Sequence, residues 1–472
     1  MLEHPHGETL KVKYPLTLLL GDASLFDPAN HDSVYTYYLA ENLGAGLVRD
    51  DTASPSGYAP ILAASWTWDG DKVWKFHLRP DARWSDGSPV TGEQIVELMH
   101  ELASGTHRHL QKLRDLKSVA FDEPSQVLTL VFGSTTTDAI LHELSLADAI
   151  LYRRDQAGKP RWDVTSGPYY VSTFVPGREL ELRKNRHSVL ASAEAPDGVR
   201  LSDNSPPKDH PTEYPFGDAD LANVPAPTFS QFSQSLMRQA AEIKEGATSS
   251  IIYFAVNPDH PLSGDGKARR ELRLLLQRAL GTTTLPRGVH PERQMIPAAY
   301  DGRLSSSPDE TGTIETLRGK TVVLQVIPSI KDLGDETINH LYSVFSTETV
   351  ELKLKYLPYF EKNPDNDHMA QIRMFAGNQK DASGSWSFHF SRDGNLWPFR
   401  HDYEEGLRRV ADAESTEVRT KALADLHMDV LDKAHLIPVL SAANYAAHST
   451  RVSLDRWNPF DMRMRFYEVR WR

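Results

Sequence analysis

Between Trp74 and Met99 the hydrophobic period of the chain switches from two to about 3.6 across one turn, which dictates a strand, a tight turn and a helix in succession. Trp74, Phe76 and Leu78 alternate with polar residues and share one face, the mark of a half-buried strand. Ser85-Asp86-Gly87-Ser88-Pro89 then supplies turn chemistry. Thr91, followed by Gly92-Glu93-Gln94, places a hydroxyl three residues before a side chain able to complete a capping box. Ile95, Val96, Leu98, Met99 and Leu102 give the helix its apolar stripe. None of these groups is chemically reactive, so the unit reads as structural.

The N-terminal third alternates strands and helices without strict regularity. "KYPLTLLLG" reads as a strand, "YTYYLAENLGAGL" as a helix, and "SVAFDEPSQVLTLVF" as a hairpin through Glu123-Pro124-Ser125. A second hairpin runs from Tyr169, Val171 and Thr173 through Pro176-Gly177 and back by Leu180 and Leu182. This order predicts α/β architecture with mixed sheets rather than one doubly wound sheet. Pro196 to Pro227, rich in Pro, Asp, Asn and Ser, is expected to be a long exposed irregular excursion. Beyond it, "SSIIYFAVN", "TVVLQVIP" and "VELKLKYLPY" read as strands separated by helices, the first helix being "KARRELRLLLQRAL", and suggest a second α/β lobe. Helices "YEEGLRRVADA" and "EVRTKALADLHMDVLDKA" and the strand "HLIPVLSAANYAAHS" follow.

A chain of 472 residues, 40% hydrophobic and 25% charged, is long enough for two or more lobes with separate cores. Its net charge of -12 argues against a general basic surface for nucleic acid, and no nucleic-acid partner is expected. The absence of cysteine excludes disulfides, thiolate nucleophiles and thiolate metal sites. "YPLTLLLG" is too short to span a bilayer, and the polar start "MLEHPHGE" leads us to expect that an export signal lies upstream.

"YAPILAASWTWDGDKVWKFHLRPDARWSDGSPVTGEQIV", then "SGPYYVSTFVPGRELELRKN", then "IIYFAVN…ARRELRLLLQRAL" run in an order that closely resembles the family 5 extracellular solute-binding proteins, the oligopeptide, dipeptide and nickel receptors of ABC importers. The resemblance implies a two-lobe, periplasmic-binding-protein-like fold of the Venus-flytrap type (type II). It implies a first lobe from residues 1–255 and 436–472, with an extra subdomain at about 44–164, and a second lobe from 256–435. "IIYFAVN" and "HLIPVL" would be the hinge crossings. It further implies a periplasmic or cell-surface receptor, acting as a monomer, that captures a small peptide or related solute and delivers it to an importer permease.

In such receptors an Asp of the second jaw commonly pairs with the peptide α-amine. "FAGNQKDASGSW" puts Asp381 at that position, with Asn378 where an aromatic is common. A register shift would put Trp386 on the aromatic and His389 on the acid; Asp381 is the preferred reading. An ionised Asp in a closing cleft would hold an ammonium, although an Asx turn before Ser383-Gly384 explains the same residue. Lys380 could neutralise that acid or hold a carboxylate. Trp386 and Trp397 offer flat faces; Phe388 and Phe390 on an alternating face favour the core for Trp386, whereas Trp397 sits in a loop before Pro398. From the first jaw, Ser166, Gly167 and Tyr169 could present backbone to a ligand or simply start the hairpin. Tyr445 could project its hydroxyl into the cleft or pack half-buried.

Other functional classes find little support. His107 and His109 in "HRH" are the nearest approach to a metal-ligand pair, but residues two apart on a helix face differently, and no companion motif accompanies them. Neither a Gly-x-Ser-x-Gly elbow nor a glycine-rich phosphate loop is present, so no enzymatic activity, cofactor or metal is expected. The alternatives are the ligand-sensing domain of an intracellular transcription regulator, which would place the chain in the cytoplasm, and a scaffold of the same fold without transport.

Overall fold

The computed structural model describes residues 8–472 apart from 17–26, 31–33, 52–53, 55, 106, 108–109, 111, 137–138, 207, 212, 299–301, 308–310, 358–362, 364, 377–385, 387–388, 391–393, 414 and 458–463. The unit around Trp74 folds as its residues dictate. Strand Val73–Leu78 buries Trp74, Phe76 and Leu78. Gly87 takes the left-handed conformation in the turn. Helix Gly92–Ala103 then starts with both halves of a capping box: the Gln94 N–H donates to Thr91 Oγ1 at 3.4 Å, and the Thr91 N–H to Gln94 Oε1 at 3.1 Å. Trp84 Nε1 donates to the same Gln94 oxygen, so the box also fixes the turn. Of the apolar stripe, Ile95, Leu98, Met99 and Leu102 are buried and Val96 is half-buried.

These residues belong to one of three apolar cores. The first lies between residues 45 and 151, built on the antiparallel sheet of Ala63–Trp68, Val73–Leu78, Val127–Phe132 and Leu116–Asp122. The second gathers Leu10, Val12, Tyr169, Leu180, Val199 and the C-terminal Phe466 and Tyr467. Asn42 fastens that tail: its amide nitrogen donates to Met464 O at 2.7 Å and its oxygen accepts from Phe466 N–H at 2.9 Å. Arg465, buried, pairs with buried Asp50 at 2.7 Å. The third core runs from Tyr214 to Ala447 and includes helix Ala226–Gln239, which the sequence reading missed. Within it, Arg269 and Arg273 of helix Gly266–Gly281 donate to the carbonyls of Lys433 and Leu431, satisfying the end of helix Thr416–Lys433.

One mixed sheet of 11 strands among the described residues joins the second and third cores. Its order is Tyr169–Val175, Glu179–Lys184, Gly198–Asp203, Thr9–Tyr14, Leu221–Pro225, Leu436–His448, Glu242–Val256, Ala370–Ala376, Thr321–Val326 and Glu351–Tyr356, with Val289–Pro291 paired to Leu436–His448. Parallel and antiparallel pairs both occur in it, as the mixed-sheet reading expected.

Two expectations need correction. The stretch from Pro196 to Pro227 is not a continuous exposed excursion: Gly198–Asp203 and Leu221–Pro225 are sheet strands with buried Val199, Leu201, Ala222 and Val224. Cross-strand pairing and burial of those alternating residues override the Pro-rich flanks. The first strand is Thr9–Tyr14, whose Leu10, Val12 and Tyr14 point inward; the alternation of "TLKVKY" decides it, while 17–21 of the apolar run "KYPLTLLLG" lie outside the described residues.

Candidate functional site

Glu242–Val256 and Leu436–His448 are the longest strands among the described residues, and they run side by side, antiparallel, through the sheet. The near end of the pair lies beside Leu221–Pro225, next to the second core; the far end lies beside Ala370–Ala376, inside the third. Register shifts between Glu245 and Thr248, and between Thr248 and Ser250, interrupt the pairing midway. A bulge breaks local hydrogen bonding and lets a strand bend, so the interruption sits where the two ends could pivot.

Tyr445 lies at that level, opposite Glu245. Its ring stacks on Phe229 of helix Ala226–Gln239 with centroids 4.0 Å apart, and the Arg287 guanidinium lies 5.9 Å from the ring centre. Gly288 is the consequence: its φ is +76°, and a Cβ there would stand 2.4 Å from the Tyr445 hydroxyl oxygen. Gly288 O accepts from Ala443 N–H at 2.8 Å, which holds the loop against the strand. Arg287 pairs with Glu245 at 3.3 Å. Burial, reinforced by Glu245 and opposed by Arg287, raises the Tyr445 hydroxyl above the usual tyrosine range. Tyr445 is therefore a buried wedge of the crossing, 1% exposed. Arg287, Glu245 and Phe229 escaped the sequence reading; the Pro-Arg-Gly of Pro286 to Gly288 was the one local signal of a turn there.

Trp397 and Trp386 divide sharply. Trp397, 41% exposed, opens the 3-10 turn Trp397–Tyr403, with the Arg400 guanidinium 5.4 Å from its ring centre. Just before it, the Asn395 amide nitrogen donates to the Tyr253 hydroxyl at 2.8 Å, tying this turn to the first crossing strand. Trp386 is buried among His427, His389 and Phe390. The Phe390 N–H donates to Trp386 O at 3.0 Å, and Trp386 lies in the core as the apolar alternation favoured. His389, which the shifted register would have made the acid, is fully buried, and burial pushes its imidazole down to about 3.

Of the residues expected in the first jaw, the Ser166 hydroxyl donates to Leu151 O at 2.6 Å and accepts from Ala45 N–H at 3.0 Å. Gly167 packs so closely that a Cβ would lie 2.5 Å from the Leu43 carbonyl carbon. Tyr169, fully buried, donates to Pro196 O at 3.1 Å. All three have internal partners. Lys380, Asp381 and Asn378 lie outside the described residues; the strand that leads to them ends with Ala376 opposite Ser250 of the bulged crossing strand. His109 is likewise outside, while His107 is fully buried, its Nε2 3.6 Å from Glu101. Among the described residues no three His, Asp or Glu side chains group as metal ligands would, and no helix is long and apolar enough to cross a membrane.

Residues 57–312 match the bacterial extracellular solute-binding proteins, family 5 Middle. The chain is 24% identical over 351 residues to the periplasmic oligopeptide-binding protein OppA of Escherichia coli (strain K12), covering 67% of this chain and 62% of that protein. It thus spans about three-fifths of the length of such relatives. In fold it is similar to Haemophilus influenzae OppA in complex with RPPGFSPFR, with a TM-score of 0.78 at 15% identity over 99% of each chain. It is equally similar to a dipeptide binding protein from Pseudoalteromonas sp. SM9913 in complex with Met-Leu, with a TM-score of 0.78 at 12% identity over 98% of this chain and 100% of that one. These likenesses establish the two-lobe α/β fold of periplasmic binding proteins.

Proposed function

The chain belongs to the bacterial extracellular solute-binding proteins of family 5, and from that premise we propose that it is the receptor of an ABC importer, taking a small peptide or related solute between its lobes. The observation that carries the proposal is the pair of bulged strands Glu242–Val256 and Leu436–His448, built into the third core, the second of them reaching the second core through Ala446. Closure about such a crossing would bury a ligand from both sides and remove it from water. In this reading residues 1–255 with 436–472 form the first lobe, 256–435 the second, and 44–164 the extra subdomain, with helix Ala226–Gln239 packed on the core of the second.

On the second jaw, Trp397 is the ligand-facing aromatic: Arg400 lies near its ring, and Asn395 fixes its position against Tyr253. Asp381 is the partner of a ligand amine, and Lys380 of a ligand carboxylate. Ser166, Gly167 and Tyr169 shape the first jaw from beneath, and Tyr445 and Trp386 set the crossing and the core behind it. The named specificities of relatives, for an oligopeptide and for Met-Leu, make peptides the first solutes to try. The site of action in this reading is periplasmic, with an importer permease as partner.

The test is thermal stabilisation of the purified chain against di- to pentapeptides, oligosaccharides and nickel chelates, since a ligand of the native state raises the melting temperature by mass action. We expect a shift with peptides that Asp381→Ala abolishes. No shift with any peptide, or a shift indifferent to Asp381→Ala, overturns the peptide reading or its anchor respectively.

A further inference from the structure

The open face of the first-lobe sheet carries a groove of about 640 Å³, remote in sequence from the crossing strands. Its floor is one row across four strands: Tyr170 pairs with Arg183, Arg183 with Gly198, and Gly198 with Thr9. The opposite face of these strands carries Leu182, Val199 and Leu10, all buried, so the row itself points to solvent. Gly198 leaves the middle of that row without a side chain, and the Thr9 hydroxyl stands 3.1 Å from where a Cβ would be.

Charge in the groove is unlike that of the chain. Arg183, Lys184, Arg186 and Arg200 line it against Glu181 and Asp197, in a protein of net charge -12. Two of these cations are committed: Lys184 pairs with Asp197 at 2.8 Å, and Arg200 with Glu179 at 2.9 Å and Glu181 at 2.6 Å. Arg183 and Arg186 are exposed, and among the described residues no carboxylate lies within ion-pair distance of either.

The turn that presents Arg186, directly after the strand of Arg183, is built rigidly. Asn185, 1% exposed, donates through its side chain to Gly167 O at 2.9 Å, accepts from His187 N–H at 2.9 Å, and donates its own N–H to Pro168 O at 2.8 Å. The far wall is fixed as well: the Ser85 N–H donates to Thr165 O at 2.9 Å and Ser85 Oγ accepts from Thr165 N–H at 3.1 Å. His187 reaches this wall, its Nε2 3.6 Å from where a Cβ on Gly87 would stand. Two guanidinium groups without carboxylate partners among the described residues, Arg183 at the end of a sheet strand and Arg186 on the fixed turn that follows it, over a hollow of small-molecule size, are an arrangement for paired anionic groups.

We propose that this groove is a second ligand site, separate from the interlobe cleft, which takes a small hydrophilic anion bearing two or more carboxylate or phosphate groups through Arg183 and Arg186. The proposal does not rest on the peptide reading. Its test is isothermal titration of the full chain with citrate and with pyrophosphate, against sodium chloride of matched ionic strength.

We expect saturable binding of one or both anions, at one per chain, weakened at least tenfold in Arg183→Ser/Arg186→Ser with an unchanged melting temperature. Citrate alone would assign a carboxylate ligand and pyrophosphate alone a phosphate ligand. Should the double variant fail to fold, Arg186→Glu, a reversal on an exposed side chain, must show the same loss. Absence of binding by both anions in the millimolar range, heats that the chloride control reproduces, or binding indifferent to these substitutions overturns the proposal.

Discussion

Asn395 and Tyr253 are joined by a 2.8 Å hydrogen bond from the Asn395 side-chain amide to the tyrosine hydroxyl. Through it, a surface turn that carries an exposed tryptophan is registered against a long strand of the third core. The bond orients; it does not hold the fold, because Tyr253 is buried by its neighbours whether or not Asn395 is present.

In the peptide reading, Asn395→Ala should therefore leave melting nearly unchanged and lower ligand affinity by roughly five- to tenfold, the worth of one part-buried hydrogen bond. Tyr253→Phe should do the same, and the double variant should lose no more than either single one. Titration calorimetry on the three variants checks this; additive losses would mean that the two residues act separately.

Trp397 and Trp386 should part company in a truncation experiment. Trp397→Ala removes a ring that is 41% exposed, so stability should change by less than about 1 kcal/mol while peptide affinity falls about tenfold or more. Trp386→Ala removes a ring packed on His427 and His389 and should cost roughly 3–5 kcal/mol of stability. Urea denaturation paired with ligand titration separates the two effects.

Acid should destabilise the chain through three buried histidines. Burial pushes His389 to about 3, His427 to about 4 and His435 to about 3, from an ordinary value of 6.5. Above about pH 6.5 these imidazoles are neutral in both folded and unfolded chains, so they contribute no slope. Below it the unfolded chain takes up protons that the folded chain refuses, and stability falls as pH drops toward the folded values. Each should cost on the order of 2 kcal/mol between about pH 7 and about pH 5. His389→Leu, whatever its effect at neutral pH, should flatten the dependence of unfolding free energy on pH by about one histidine's share.

The helix start at Thr91 was legible because its signal is local: cap, box and stripe lie within a dozen residues, and no distant partner is needed to complete them. Thr91→Ala should accordingly cost about 1 kcal/mol in urea denaturation, and Gln94→Ala should cost a similar amount again even without the cap, because its oxygen also accepts from Trp84 Nε1 and the Thr91 N–H. The strands at Gly198–Asp203 and Leu221–Pro225 were hidden because their stability comes from neighbours distant in sequence, Thr9–Tyr14 and Leu436–His448. Trp386 was legible as a core residue from its apolar company, and it is buried against Phe390 and His427. The wedge at Tyr445 needed Phe229, Glu245 and Arg287, which only the fold brings together. Motifs that reveal family order are short-range patterns; the groups that work at a crossing are not.

Gly288 tests the crossing itself. Any other residue there meets two separate costs: a left-handed backbone, at φ +76°, and a Cβ 2.4 Å from the Tyr445 hydroxyl and 3.1 Å from its ring. The first is worth about 1–2 kcal/mol and is independent of the partner. The second depends wholly on the tyrosine remaining where Phe229 stacks it. Gly288→Ala should thus cost roughly 2–4 kcal/mol in the native background, and only the backbone part, about 1–2 kcal/mol, when Tyr445→Ala has already emptied the space. Denaturation of the two single variants and the double variant measures the difference. Equal costs in both backgrounds would show that the loop yields and that Tyr445 does not act as a wedge; a smaller cost in the Tyr445→Ala background would place the strain at the crossing, where ligand affinity should fall with it.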